Sequence, residues 1–131
     1  MSDPSLAVQG ALVGFLAALG TEAGARVYDQ PPALPVLPYI TVGPGQTVPM
    51  DETCWDASEV FVPIDVWSVA VGYPEVKRIA GALRAALHEG SLTLQGHVCD
   101  RVEVRSLTYS RDLDGITSRA RIELLLTTQP A

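Results

Sequence analysis

The stretch SEVFVPIDVWSVAVGYPEVKRIAGALRAALHEG, residues 58–90, decides the fold. Its first part is an extended strand in which Val60, Val62, Ile64 and Val66 share one face, and Phe61, Pro63, Asp65 and Trp67 share the other. Both faces are mainly apolar, so the strand belongs in the middle of a sheet or under a partner that covers its second face. Pro63 removes a ladder donor and predicts a bulge or an edge; an edge strand covered by another subunit satisfies both demands. A three-residue link then leads to one amphipathic helix between Gly72 and Gly90. Pro74 stands where a first helical turn tolerates proline, and Gly90 stands where a helix stops. Val76, Ile79, Ala80, Leu83, Ala86 and Leu87 line one side of that helix, with Glu75, Lys77, Arg78, Arg84 and Glu89 elsewhere.

Upstream, residues 6–19 form a first helix with Leu6, Val8, Leu12, Phe15, Leu16 and Leu19 as a broad apolar stripe. Ser2 or Asp3 can cap it, with Pro4 in the first turn. No basic region precedes it and it is too short to span a bilayer, so it reads as a docked helix and not a targeting or membrane segment. Residues 30–38 carry four prolines. They form a stiff extended connector rather than a signalling ligand, because no basic residue flanks them. Tyr39-Ile40-Thr41-Val42 is a short strand ended by Gly43-Pro44-Gly45. Residues 45–57 read as a loop carrying Met50, Cys54 and Trp55, either a contact surface or a loop folded back on the core.

Downstream, Leu92-Thr93-Leu94 reads as a short strand, followed by a turn at Gln95-Gly96. A strand at 98–109 comes next, with Val102 and Val104 alternating against Arg101, Glu103 and Arg105. A turn at 111–115 then leads to a closing strand at 116–127 with Ile122, Leu124 and Leu126 on one face. The order is α-β-β-β-α-β-β-β. This predicts one α+β domain over residues 1–131, a largely antiparallel sheet with the N-terminal and central helices packed on it and a long C-terminal β-hairpin. A chain of 131 residues is long enough for one core.

The net charge of −6 argues against nucleic-acid binding by general electrostatics, since an acidic surface gains nothing from counterion release. Cys54 and Cys99 share no ligand spacing and read as reduced core or loop residues. Joined with His88 and His97 they lack the paired spacing of a zinc site. Asp112 and Asp114 make a DxDG that begins like a calcium loop, but no glutamate stands at the twelfth position, and a hairpin turn accounts for them. Asp65 has two readings, a buried base or a carboxylate satisfied by backbone donors or an arginine at a subunit contact; the second is expected. No nucleophile elbow, phosphate loop or dinucleotide fingerprint is present, and neither an enzyme nor a cofactor is expected.

The ordered set resembles the small tail-completion (tail terminator) proteins of long-tailed phages and gene transfer agents. The residues that carry the resemblance are Leu37-Pro38-Tyr39-Ile40-Thr41-Val42-Gly43, Ile64-Asp65-Val66-Trp67-Ser68, the helix at 73–88, Leu92-Thr93-Leu94, and the hairpin with Arg111-Asp112 and Asp114-Gly115. The resemblance implies a ring, commonly a hexamer, on the head-proximal end of a tail tube, which ends tube polymerisation and offers a surface to the head-tail connector. It implies assembly in the cytoplasm, then residence in the particle, with DNA passing through unbound. Met50, Trp55, Phe61, Asp65 and Trp67 are the candidate interface residues; Asp51, Glu52, Asp56, Asp112 and Asp114 are candidate channel-facing acids. A different head-tail connector or head-completion component, or a small ligand-binding domain with a pocket near Asp65, Trp67 or His97, is the alternative.

Overall fold

The computed structural model describes residues 3–50 and 57–131. In chain order its elements are α1 (Ser5–Ala18), β1 (Val27–Tyr28), β2 (Tyr39–Val42), β3 (Gln46–Pro49), β4 (Ser58–Ser68), α2 (Pro74–Leu87), β5 (His97–Arg111) and β6 (Ser118–Pro130). The sheet runs β1-β2-β4-β6-β5, with β3 also paired to β4. All pairings are antiparallel except β1 with β2. The α+β expectation holds, down to the C-terminal hairpin of β5 and β6.

The even-numbered residues of β4 and β6 build the core. Val60, Val62, Ile64 and Val66 lie beside Leu126, Leu124, Ile122 and Ala120 in register, and all are buried. Ile40 and Val42 of β2 and Val102 of β5 extend this floor, and both helices close it from one side. From α1 come Val8, Leu12 and Leu16; from α2 come Val76, Ile79, Ala80, Leu83 and Leu87. Successive buried positions four residues apart keep the α1 stripe narrow. Leu6 lies two residues before Val8, on the opposite side of the helix, and is exposed; its expected place in the buried stripe is corrected.

Pro63 is neither at an edge nor in a bulge of its own strand. β4 is central, paired along its whole length to β6 and on its other side to β2 and then β3. The break between β2 and β3, at Gly43-Pro44-Gly45, falls opposite Pro63. Gly43 donates its N–H to the Pro63 carbonyl at 2.8 Å. A hydrogen-bonded antiparallel pair exchanges two bonds; here the one that proline cannot donate is the one that the break leaves undemanded.

Two strand expectations change. Residues 46–49, read as part of a loop, pair with β4 as β3, because Gly45 (φ +72°) turns the chain back onto the half of β4 that β2 leaves open. Leu92-Thr93-Leu94 is no strand: only Thr93 bridges, to Val98, while Leu92 and Leu94 plug the core. The order is therefore α-β-β-β-β-α-β-β.

The end of α2 is tied to the outer strand β5. Glu89, at φ +57°, donates its N–H to the Val102 carbonyl, and the His88 imidazole Nδ1 accepts the Val104 N–H at 3.1 Å. Val104 borders the register shift that leaves Arg105 bulged, so the helix end caps an irregular edge that would otherwise present open ladder groups.

Candidate functional site

With both helices on one face, the odd-numbered residues of β4 and β6 occupy the other. There Glu59, Phe61, Pro63, Asp65 and Trp67 sit beside Thr127, Leu125, Glu123, Arg121 and Arg119. Three of the candidate interface residues, Phe61, Asp65 and Trp67, are thus brought together by strand alternation alone. Phe61 packs as a cross-strand neighbour of the buried Leu125.

Trp67 anchors an aromatic cluster. Its Nε1 donates to the Thr41 hydroxyl at 3.1 Å, and its ring stacks on Tyr39 with centroids 6.2 Å apart and planes 22° apart. Tyr28 continues the cluster, 6.1 Å from Tyr39. The Arg119 guanidinium lies 5.5 Å from the indole centroid, within cation–π range. Burial, and secondarily the negative charge of Asp112, push the Tyr39 phenol above its ordinary value. Register puts the cluster at the hairpin end of the sheet: Trp67 lies opposite both Tyr39 and Arg119, and Arg119 adjoins Ser118, where the turn returns to β6.

Asp65 is the buried charge of this face, 7% exposed. Arg121 holds it in a two-pronged pair, Nε to Oδ1 and Nη2 to Oδ2, each 2.9 Å. Arg119 Nε stands 4.0 Å from Oδ1; it is buried without a hydrogen bond, held by the ring beneath it and the charge beside it. Of the two partners expected for Asp65, backbone donors or an arginine at a subunit contact, an arginine is the one present, and it comes from the chain itself. The pair raises the already high pKa of Arg121 further, mainly through its hydrogen bonds to Asp65. A bidentate pair holds both side chains in one geometry.

Asp112 and Asp114 are turn residues. Asp112 donates its N–H to the Thr117 carbonyl and accepts from the Gly115 N–H. Asp114 Oδ1 accepts from the Ile116 and Thr117 amides, each 2.8 Å, and Oδ2 accepts from the Thr117 hydroxyl at 2.7 Å. These bonds, the hydroxyl first, hold the Asp114 carboxyl below its ordinary value of 3.8. Met50 donates its N–H to the Ala57 carbonyl at 2.9 Å. Trp55, Asp51, Glu52, Asp56 and Cys54 lie outside the described residues.

His97 is not part of this face. It stands opposite Pro130, nine positions along β6 from Arg121, roughly 30 Å at strand rise. There it lines a groove of about 670 Å³ with Gly10, Ala11 and Thr93. Cys99 donates to the Arg101 carbonyl, and burial pushes its thiol up. Among the described residues no group of three or more histidines, cysteines or carboxylates could hold a metal ion, and no helix is long and apolar enough to cross a membrane. The sequence reading missed Tyr28, Tyr39, Arg119 and Arg121. The alternation of Arg119, Arg121 and Glu123 with Ala120, Ile122 and Leu124 was the available signal.

What the residues build is a surface of neighbouring aromatic rings and paired charges. The chain belongs to the tail completion protein gp17 family, whose model matches residues 7–129. It is a phage-type tail structural protein and not an enzyme. A chain from a solved virion of a native gene transfer agent particle has the same fold, with a TM-score of 0.84 over 98% of this chain and 99% of that chain, at 21% identity. No curated protein matches the chain.

Proposed function

We propose that this protein completes a phage-type tail at its head-proximal end: copies form a ring on the last layer of the tube, stop further tube subunits from adding, and offer the head connector a docking surface. The observation that carries this reading is the end-to-end match. Family model and virion component both span nearly the whole chain, so the surface that does the family's work belongs to this one α+β unit. The mechanism is geometric, because a ring that occupies the growing end presents no further copy of the polymerising surface.

The face of Phe61, Asp65 and Trp67 is an assembly surface in this reading, and Met50 and Trp55 are contacts to a neighbour or to the tube. Asp51, Glu52, Asp56, Asp112 and Asp114 face the channel or its mouth. With −6 per copy, a ring repels the phosphate backbone, so DNA passes without being held. The particle is a phage or a gene transfer agent, and the protein is in the cytoplasm while the particle assembles and part of its tail thereafter.

The test is the mass of the purified protein in solution, alone and mixed with the tail-tube protein of its own gene cluster. A closed oligomer, most simply a hexamer, that binds tube ends in the absence of heads is expected. A protein indifferent to tubes that binds assembled heads instead would make it a connector or head-completion component.

A further inference from the structure

The sheet has two outer strands. β1 is two residues long and runs into the proline segment, which blunts it against further pairing. β5 is 15 residues long, and the end of α2 caps only its first half. There the Val102 carbonyl and the Val104 N–H point away from β6 and are taken by Glu89 and His88. The bulge at Arg105 then changes which residues point outward. Asp112 donates its N–H toward β6, to the Thr117 carbonyl. Alternation along the strand therefore turns Ser110, Thr108 and Ser106 toward β6, and Leu107, Tyr109 and Arg111 away from it. Among the described residues no strand pairs with that outer side.

Uncompensated positive charge runs along the same stretch. Of the nine lysines and arginines, Arg78, Arg101, Arg119 and Arg121 stand within 4.0 Å of a carboxylate, and Arg26 donates to two backbone carbonyls. Lys77, Arg84, Arg105 and Arg111 are all exposed, and none has a carboxylate partner among the described residues. Arg105 occupies the β5 bulge, and Arg111 ends the strand, 4.8 Å over the Tyr73 ring. Lys77 Nζ lies 4.9 Å over the Tyr109 ring. Lys77, Arg84 and His88 share one side of α2 by helical spacing, and Lys77 and His88 touch β5 at Tyr109 and Val104, so Arg84 stands between those contacts. On a chain of net charge −6 these four cations share one strip beside one open strand edge.

That charge calls for an anionic occupant, and the edge selects its kind. A phosphate backbone accepts hydrogen bonds and would leave the outward carbonyls of Leu107, Tyr109 and Arg111 unpaired. An extended polypeptide supplies a donor and an acceptor to each. We propose that β5 takes an added strand here: an extended, carboxylate-bearing segment of another protein pairs its backbone with Leu107, Tyr109 and Arg111 and sets every second side chain against Lys77 and Arg84. The three outward residues span roughly 14 Å at strand rise, so about five residues of the partner suffice. Strand addition at β5 goes beyond the ring reading and is the same for a single copy or a ring that leaves this edge open.

Residue-resolved amide exchange on the whole chain tests this with three probes: a blocked eight-residue peptide alternating threonine and glutamate, its threonine–lysine counterpart, and a single-stranded oligothymidylate. In the free protein Leu107 and Tyr109 should exchange quickly and Thr108, which faces β6, slowly. Saturating threonine–glutamate peptide should slow Leu107 and Tyr109 about tenfold and leave Thr108 unchanged, added salt should weaken the effect, and the other two probes should slow neither amide. Lys77→Glu with Arg84→Glu should turn the preference to the threonine–lysine peptide. Leu107→Pro removes one outward donor and no bond to β6, so it should keep the fold by circular dichroism and lose the peptide effect at Tyr109. An edge that its charges only guard binds neither peptide, and that result overturns the proposal. So do equal effects of the two peptides, slowing by oligothymidylate, or Leu107 and Tyr109 amides already protected in the free protein, which would mean that another copy pairs there. None of these outcomes touches the ring reading, which the mass measurement decides.

Discussion

Asp65 and Arg121 face each other across β4 and β6 and share two hydrogen bonds of 2.9 Å on the sheet face that no helix covers. The pair makes Asp65 a structural tie, the expected one of its two readings. Asp65→Ala leaves Arg121 and Arg119 beside each other without their shared counter-charge. We expect a loss of about 1–2 kcal/mol, kept modest because Arg121 is more than one-third exposed. A double-mutant cycle with Arg121→Ala, read by denaturant unfolding, should recover part of that loss. Additive effects would contradict the pairing.

Two glycines predict opposite outcomes for the same substitution. A Cβ at Gly45 would lie 2.6 Å from the Phe61 carbonyl oxygen, and the backbone there has φ +72°. Gly45→Ala should cost about 1–3 kcal/mol and weaken the β3–β4 pairing. Gly14, inside α1, has nothing within 4 Å of its Cβ position, so Gly14→Ala should stabilise by about 0.5–1 kcal/mol. Thermal melts of both variants check the pair.

His88→Ala removes the acceptor of the Val104 N–H at the β5 bulge. A loss of about 1 kcal/mol is expected, with faster hydrogen exchange at the Val104 amide while the β4–β6 amides keep their protection. Unchanged exchange at Val104 would mean the imidazole does not cap that edge.

The hairpin tip should respond to acid. Asp114 is held below its ordinary value of 3.8, so its ionised form favours the folded turn. Its contribution is complete above the ordinary carboxylate range and is lost as pH falls through the lower folded value. The Thr117 amide resonance should titrate with a midpoint below 3.8, and Asp114→Asn should abolish that titration. A midpoint at or above 3.8 would contradict the geometry of the turn.

Much of this was legible from residues 58–90, because alternation along a strand and a 3.6-residue period along a helix report which side chains face a core. That reading placed Phe61, Asp65 and Trp67 on one face and expected Asp65 to be satisfied by backbone donors or by an arginine. It did not reveal which arginine, since register across β4 and β6 is a property of the folded pair. Pro63 misled for a related reason: whether a missing donor matters depends on what stands opposite, and the opposing break at Gly43–Gly45 is a tertiary fact. Leu6 was misplaced because α1 is apolar nearly all round, which blurs its buried side.

The central claim is that this protein ends the growth of a tail tube. Its most direct test is the length distribution, by electron microscopy, of tails made in producing cells with and without an intact gene for this protein. The account predicts that tails made without it are overlong and headless, and that adding the wild-type gene back restores one narrow length. Tails of unchanged length in its absence would contradict the claim.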